Sequence, residues 1–432
     1  MISSLTLILS LAATQPVGVD PVVAVEPAPG PTPVAVPFAW GDFTWMNGQS
    51  RQKDFPLQLN SALTFSLYLD TYFAYSLNRP VDDTLTGSGT IGRHNEFQLN
   101  LASVGFEWNY RNTIGRLSLQ YGSMINLAQD LDGTVARGRA LTTQNLRYIR
   151  EATAGYHFDV LSGVNVEAGI FMSYIGLESY LLAENWNYTR SLVCDHTPFY
   201  FQGIRAQIFL SDRLKVEPWV MNGWQSYGKW NFSPSAGLSV RWSPVEAFTV
   251  IGNFYGGSDT KNTPGRIRFH HDHSILWRYF QSSGLRLAFS LNNHYGFEQG
   301  GDGLPGMDQA YMAGTSIAHR ATFFRDHLAV SVRGEYLTNP TRYLAQFPPS
   351  NLGSAPGTDL KIWGFTGTLE VMPTDFFGLR AELVHRVANV GYFAGTGGTT
   401  SPDGYLPDPA GAFVPDTAKS QTLIVLAANF RL

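Results

Sequence analysis

The chain has 432 residues, of which 44% are hydrophobic, 13% aromatic and only 15% charged, and its net charge is −4. This charge offers no basic surface for nucleic acid. After the first dozen residues, no apolar run approaches the roughly 18 to 20 residues that a spanning helix needs, which excludes helical membrane proteins. The single cysteine, Cys194, excludes a domain held together by internal disulfides.

Three segments precede the predicted folded domain. Residues 1–12 carry a short apolar core followed by a small-x-small pattern, which predicts a signal peptide. Residues 13–37 alternate proline with small apolar residues, as an extended linker does. Residues 38–61 begin with four large aromatics, Phe38, Trp40, Phe43 and Trp45. Because such side chains are costly to leave in water, we expect this segment to be ordered against the domain that follows at 62–432.

Alternation of apolar and polar side chains predicts sixteen strands along residues 62–432. In the stretch 284–300, for example, Leu285, Leu287 and Phe289 share one parity, while Arg286 and Ser290 share the other. A helix would scatter these residues, whereas a strand gathers each set on one face. The predicted strands span 62–75, 95–109, 115–125, 146–158, 164–174, 199–210, 213–224, 233–243, 247–256, 267–280, 284–298, 309–321, 327–338, 359–372, 377–390 and 419–432.

The connections between these strands alternate between short and long. The short ones have two to five residues, and the long ones include 76–94, 126–145, 175–198, 299–308, 339–358 and 391–418. This alternation predicts an all-β fold: a single up-and-down antiparallel transmembrane β-barrel of about 16 strands, with short periplasmic turns and long extracellular loops. The apolar parity would then face lipid and the polar parity would face water. Phe430 lies on the lipid parity of the last strand and is the expected signal for the barrel assembly machinery.

Several motifs that resemble chemical sites do not predict one. The run 270–273 contains three histidines and Asp272, but His270 and Asp272 face one way and His271 and His273 the other, so this strand predicts no metal site. Gly87, Gly89 and Gly92 have the spacing of a dinucleotide-binding loop, yet a strand pattern follows them where a helix is needed. No convincing nucleophile with a base appears. We therefore predict no enzyme and no cofactor.

Five blocks of sequence, at 38–58, 72–83, 167–180, 185–228 and 270–280, resemble the OmpL-like outer-membrane β-barrel porins of Bacteroidota and related bacteria. The central block is long enough to be specific. The resemblance implies a bacterial outer-membrane location, contact with outer-membrane lipid, and passive diffusion of solutes. The oligomeric state is left open, with a homo-oligomer as one option.

Sixteen strands leave an aqueous channel, which favours a porin for small hydrophilic solutes or ions. The alternative from another functional class is a surface adhesin or a structural outer-membrane anchor, whose barrel only displays its long loops. An outer-membrane enzyme is a weaker alternative because no residues are found to carry its chemistry.

The third long loop, 175–198, is unusually apolar, so we expect it to fold into the barrel and form the constriction, as third loops do in the porins that the chain resembles. It carries Glu178, Glu184 and Asp195. These carboxylates could face a wall of arginines and create a transverse field. Alternatively, the arginines pair individually with Glu107, Glu151, Glu167, Glu335 and Glu382. Inward bases exceed inward acids, which indicates a weak anion preference. The inward arginines are Arg205, Arg241, Arg278, Arg286, Arg320, Arg333 and Arg380.

Overall fold

A computed structural model of the chain describes residues 37–38, 52, 54–129, 132, 143–341, 359–400 and 414–432. The predicted signal peptide, the predicted linker apart from Pro37, and most of 39–53 lie outside these ranges. Within the described residues, no helix has the length and apolar character to cross a membrane.

Sixteen long strands form one antiparallel sheet that closes on itself. Each strand pairs with the next along the chain, and residues 423–431 of the last strand pair with 68–76 of the first. Closure leaves no unpaired sheet edge. The strands are β1 (Leu63–Ser76), β2 (Phe97–Tyr110), β3 (Thr113–Tyr121), β4 (Ile149–Phe158), β5 (Val164–Met172), β6 (Tyr200–Ser211), β7 (Leu214–Met221), β8 (Ser235–Val245), β9 (Phe248–Gly257), β10 (Ile267–Gln281), β11 (Leu285–Gln299), β12 (Tyr311–Phe323), β13 (Leu328–Asn339), β14 (Leu360–Thr374), β15 (Phe377–Ala388) and β16 (Ser420–Arg431).

The predicted all-β barrel of sixteen strands is confirmed, and every predicted strand overlaps an observed one. The alternation of connections is also confirmed: 111–112 joins β2 to β3, whereas 77–96 joins β1 to β2. We number the long connections loops 1 to 8 in chain order, so that loop 1 is 77–96, loop 3 is 173–199 and loop 8 is 389–419. The end that carries these loops is the loop end, and the other is the turn end.

The predicted third strand, 115–125, was too long. β3 ends at Tyr121, and the helix α1 (Met124–Gln129) follows in loop 2. Gly122 makes this change of direction with φ of +131°, and a Cβ there would lie 2.3 Å from the carbonyl oxygen of Asn100. Only glycine fits at such a position. The strand pattern therefore stops at a backbone feature that the apolar pattern does not reveal.

The two faces of the strands differ as the alternation predicts. In β15, Leu379 and Leu383 are exposed on the outside, while Arg380 and Glu382 are buried on the inside. Large aromatics such as Trp242 and Trp277 are about half exposed on the outer face. This arrangement gives an apolar outer band with aromatic side chains and a polar interior.

Much of the barrel interior is filled by chain. Loop 3 contains a short 3-10 helix (Leu182–Glu184) and the helical turn α3 (Leu192–Asp195). None of its residues, 173–199, is exposed. Residues 85–91 of loop 1 are buried as well. Loop 2 contains, besides α1, the short helix α2 (Thr143–Leu146). The packed core of this protein thus lies inside the barrel.

Candidate functional site in the barrel lumen

Loop 3 is bound to one side of the inner wall by arginine side chains. The guanidinium of Arg380 on β15 donates hydrogen bonds to the carbonyl oxygens of Leu182 at 2.6 Å, Ala183 at 3.1 Å and Asn185 at 2.9 Å. Arg380 points inward because it occupies the polar parity of its strand. Carbonyl groups of a folded-in loop need donors, since little water reaches them. A single arginine here supplies donors for a full turn of loop.

Three further inward arginines repeat this contact along the loop. With those of Arg380, their carbonyl acceptors lie between Leu182 and Arg190, so the middle third of the loop is held. The bonds run from Arg320 on β12 to Trp186 at 3.3 Å, from Arg333 on β13 to Thr189 at 2.6 Å and to Arg190 at 3.2 Å, and from Arg386 on β15 to Arg190 at 3.0 Å.

Three inward glutamates complete this surface. Glu382 accepts the backbone N–H groups of Tyr188 at 2.6 Å and Thr189 at 2.9 Å, and Glu335 accepts that of Leu192 at 2.7 Å. Glu335 and Glu370 also balance the charge of the arginines. Ion pairs join Glu370 to Arg320 at 2.5 Å and to Arg380 at 2.8 Å, and Glu335 to Arg386 at 2.9 Å. Buried charges are tolerated when they are paired and hydrogen-bonded in this way.

Apolar side chains of loop 3 also find partners on the wall. Leu177 and Trp186 pack in one cluster with Leu276, Ala288 and Ala318, which lie on β10, β11 and β12. The small inward alanines leave space for the indole ring. The apolar character of this loop, which the sequence shows plainly, is thus used for packing inside the barrel rather than for contact with lipid.

Asp70 joins loop 3 to the seam between β1 and β16. Its buried carboxylate accepts the Tyr188 hydroxyl at 3.0 Å, the Asn100 amide at 2.9 Å and the Asn429 amide at 2.6 Å. These three donors come from loop 3, β2 and β16. A carboxylate with several donors can remain buried without a basic partner in contact.

On the other side of the lumen, loop 3 leaves a cavity of about 480 Å³. The strands β1 to β9 form its wall, and Arg431 and Leu432 line it at the turn end. Among the described residues, its lining holds seven basic and five acidic side chains. The basic ones are Arg116, Arg150, Arg190, Arg205, Lys215, Arg241 and Arg431, and the acidic ones are Glu107, Glu151, Glu178, Glu184 and Glu217.

Charges on the cavity wall alternate and pair both across neighbouring strands and within β7. Arg205 lies 2.7 Å from Glu167 and 3.6 Å from Glu217, and Lys215 lies 2.6 Å from Glu217. The Arg205 guanidinium also stacks over the Trp219 ring, 5.5 Å from its centroid. The cavity therefore presents donors, acceptors and an aromatic face side by side.

The ten residues predicted to line the pore fall into three groups. Arg205, Arg241, Glu178 and Glu184 line the cavity. Arg320, Arg333 and Arg380 lie beneath loop 3. The other three lie elsewhere: Arg278 pairs with Glu246 at 2.7 Å, Arg286 pairs with Asp326 at 3.3 Å, and Asp195 accepts the backbone N–H of Gly89 in loop 1 at 3.0 Å.

Sequence reasoning did not select several residues that line the cavity, among them Arg116, Arg150, Lys215 and Arg431. Arg116 lies next to Leu117 and Lys215 next to Val216, so the inward parity was available as a signal. The sequence offers no signal for which of these residues lie near the open side of the lumen, because that depends on where loop 3 lies.

At the loop end, loops 1 and 8 are bound together by a mouth latch, which we define as Asp82, Thr86, Phe393, Thr399 and Thr400. The Asp82 carboxylate accepts the backbone N–H groups of Thr399 at 2.7 Å and Thr400 at 2.8 Å. Thr86 accepts the N–H of Ala394 at 2.8 Å. Burial alone would raise the pKa of Asp82, but these hydrogen bonds outweigh it and hold the pKa below its usual value.

At the turn end, Phe38 lies against the barrel. Its N–H donates to the carbonyl oxygen of Asp212 at 3.0 Å, and its ring lies 5.1 Å from the Arg241 guanidinium. This contact is at the start of the aromatic segment that we expect to be ordered. Residues 39–51 are outside the described ranges, so the rest of that expectation stays a prediction.

The profile of the family described as "Putative beta-barrel porin-2, OmpL-like" matches residues 62–432. The chain belongs to this family. As an OmpL-like porin, it is a transmembrane barrel of the bacterial outer membrane, in contact with membrane lipid. A comparison with curated proteins finds no match.

Solved structures with a similar fold are outer-membrane barrels. The anion-selective porin from Comamonas acidovorans has 9% identity and a TM-score of 0.50, covering 86% of this chain and 100% of that one. OprB of Pseudomonas putida has 10% identity and a TM-score of 0.49, covering 87% and 95%. OmpF of Salmonella typhi has 9% identity and a TM-score of 0.49, covering 86% and 97%. At these identities, the first comparison supports the fold alone.

Proposed function

We propose that this OmpL-like porin is a channel for passive diffusion of small hydrophilic solutes, and that loop 3 bounds its narrowest part. The observation that carries the proposal is the inward fold of loop 3 against one wall, which leaves a polar cavity of about 480 Å³ on the other. A loop held by four buried arginines is a fixed boundary. Solutes would pass between the loop and the strands β1 to β9.

The charges of this cavity set the chemistry of passage. A hydrated solute can exchange water for the alternating donors and acceptors of the wall, so no strong binding is needed. Seven basic against five acidic lining residues support a weak anion preference. Glu178 is 3.1 Å from Arg333, and Glu184 is 3.3 Å from Arg431. These pairs favour a mixed lumen of individually paired charges over a strong transverse field.

Many charged groups of the lumen pair with one another, and the proposal assigns them no catalytic role. It is tested by single-channel conductance of the purified, folded protein in a planar bilayer. We expect stable conductance steps, a small excess of anion permeability, and a larger conductance after deletion of 178–195. A folded protein that gives no conductance, before and after this deletion, would overturn the proposal.

The mouth latch favours one alternative, a barrel that anchors surface loops without conducting. The latch joins loops 1 and 8, which are neighbours at the loop end because β16 pairs with β1, and its release would open the mouth if these loops cover it. Asp82→Ala, which removes the acceptor for Thr399 and Thr400, distinguishes the two. If wild type conducts poorly and Asp82→Ala conducts well, the barrel is a channel closed at its mouth. If neither conducts, the anchor is the better reading.

A further inference from the structure

Three inward side chains on neighbouring strands form a cluster that the lumen function does not use. His270 and Asp272 lie on β10, and His294 lies on β11 directly opposite Asp272 in the strand register. One potential ligand atom from each residue lies within 4.8 Å of the other two. All three side chains are buried, with exposures of 0%, 0% and 3%.

The two imidazoles are at a distance that suits a shared ion. Nε2 of His270 lies 3.1 Å from Nδ1 of His294. Two nitrogens that each bind zinc at about 2.05 Å and lie this far apart subtend about 98° at the metal, close to a tetrahedral angle. The two rings are hydrogen-bonded at this separation, and the same separation is compatible with two nitrogen ligands of one zinc ion.

The hydrogen bonds of His294 are those of a metal ligand. Its Nε2 lies 2.8 Å from the side-chain oxygen of Asn292, to which it donates if the proton is on Nε2. That tautomer leaves Nδ1 with a free lone pair, directed at His270. Histidines that bind metals commonly donate their other N–H to an oxygen in this manner.

Asp272 supplies a negative charge whose contacts are neutral. Its carboxylate accepts the N–H of Gly176 at 3.0 Å and the side-chain amide of Asn253 at 2.9 Å. A buried carboxylate is costly unless a cation or several donors accompany it. A divalent ion beside the two imidazoles would offset this cost.

We propose that His270, Asp272 and His294 bind a divalent transition-metal ion, with zinc as the reference ion. Two imidazoles and a carboxylate suit zinc and its neighbours in the first transition row.

The site would join β10 and β11 to loop 3, because the N–H of Gly176, which belongs to that loop, donates to Asp272. The ion can enter from the lumen, since Asn253 and Gly176 also line the cavity. The site does not depend on whether the barrel conducts, so its test is separate from that of the channel.

The test measures zinc bound to the purified full-length protein in detergent after exposure to zinc chloride and removal of the excess. We expect about one zinc per chain for wild type. His270→Gln and Asp272→Asn preserve side-chain volume, and each is expected to lower the zinc affinity at least about tenfold. The matched control is the double variant His271→Ala/His273→Ala, which removes two imidazoles from the lipid-facing parity of the same strand and is expected to bind zinc as wild type does.

Heat-modifiable electrophoretic migration verifies that each variant is folded. If either His270→Gln or Asp272→Asn does not fold, the other one carries the test. Wild type that binds no more zinc than His270→Gln and Asp272→Asn would overturn the proposal. Equal loss in the His271→Ala/His273→Ala control would place the ion on the outer face and also overturn it.

Discussion

Arg380→Met tests whether loop 3 is held inside the barrel by arginine contacts with its backbone. Methionine keeps the length and much of the apolar volume of the side chain but removes all five donors. Three carbonyl groups, on Leu182, Ala183 and Asn185, then lose their donor. Glu370 keeps a basic partner, because Arg320 lies 2.5 Å away. The change therefore removes contacts to the loop without leaving an unpaired buried carboxylate.

The magnitude follows from these contacts. A hydrogen bond to a charged group contributes about 1.5–3 kcal/mol to stability, and the three bonds are not fully additive because the loop can shift. We expect docking of loop 3 to weaken by about 3–5 kcal/mol in total, which is also the usual cost of breaking a buried ionic contact. This corresponds to a rise of about a hundredfold to a few thousandfold in the ratio of detached to docked loop.

Single-channel recording and limited proteolysis measure this change. We expect Arg380→Met to show a noisier and larger open-channel current and faster cleavage within 173–199. The matched control is Arg266→Met, which removes a buried arginine that contacts Glu298 at 3.0 Å and the carbonyl oxygens of Gly300 and Pro305 at 2.9 Å, all outside loop 3. If both variants change the current equally, or neither changes it, the arginine contacts do not hold the loop.

Three further predictions concern the cavity and the mouth. Glu184→Lys reverses a charge in the cavity lining and should shift the reversal potential toward anions, whereas Asp195→Asn, which lies outside the lining, should leave it unchanged. The pKa of Asp82 is lowered in the folded protein, so the mouth latch gains stability above the usual aspartate pKa and loses it as the pH falls through the folded pKa. Loops 1 and 8 should therefore become protease-sensitive below about pH 4. Asp82→Asn should abolish this pH dependence. Gly87→Ala places a Cβ 2.8 Å from the Phe393 ring at φ of +76°, so it should loosen the latch at neutral pH, while Gly256→Ala, with open space around it, should not; equal protease sensitivity of the two variants would contradict this.

The strands could be predicted because each one repeats a simple pattern. In β11, apolar and polar side chains alternate from Leu285 to Glu298, and both faces have a definite environment. The sequence does not show which strand pairs lie under loop 3. Arg205 and Arg333 have the same inward parity, yet one lines the cavity and the other is fully buried beneath the loop. That difference depends on the path of loop 3, which is set by contacts between distant segments.

The histidine cluster shows the same limit. The sequence reasoning correctly placed His270 and Asp272 on one face, and from this strand alone two ligands are too few for a metal site. The third candidate, His294, is 24 residues from His270 and reaches it only through the pairing of β10 with β11. Strand register, which period-two alternation does not fix between two neighbouring strands, is what brings the three groups together.

The carboxylate of Asp70 has a consequence for the order in which the protein folds. Its donor Asn429 is 359 residues away, whereas its donor Tyr188 is 118 residues away. Contacts between such distant segments form late, because the chain must first search a large volume. The hydrogen-bond network of Asp70, which includes Tyr188 of loop 3, is therefore complete only when the first and last strands have met. An unfinished barrel would hold its third loop loosely, so protection of Tyr188 from hydrogen exchange or chemical labelling would report the moment at which the barrel closes.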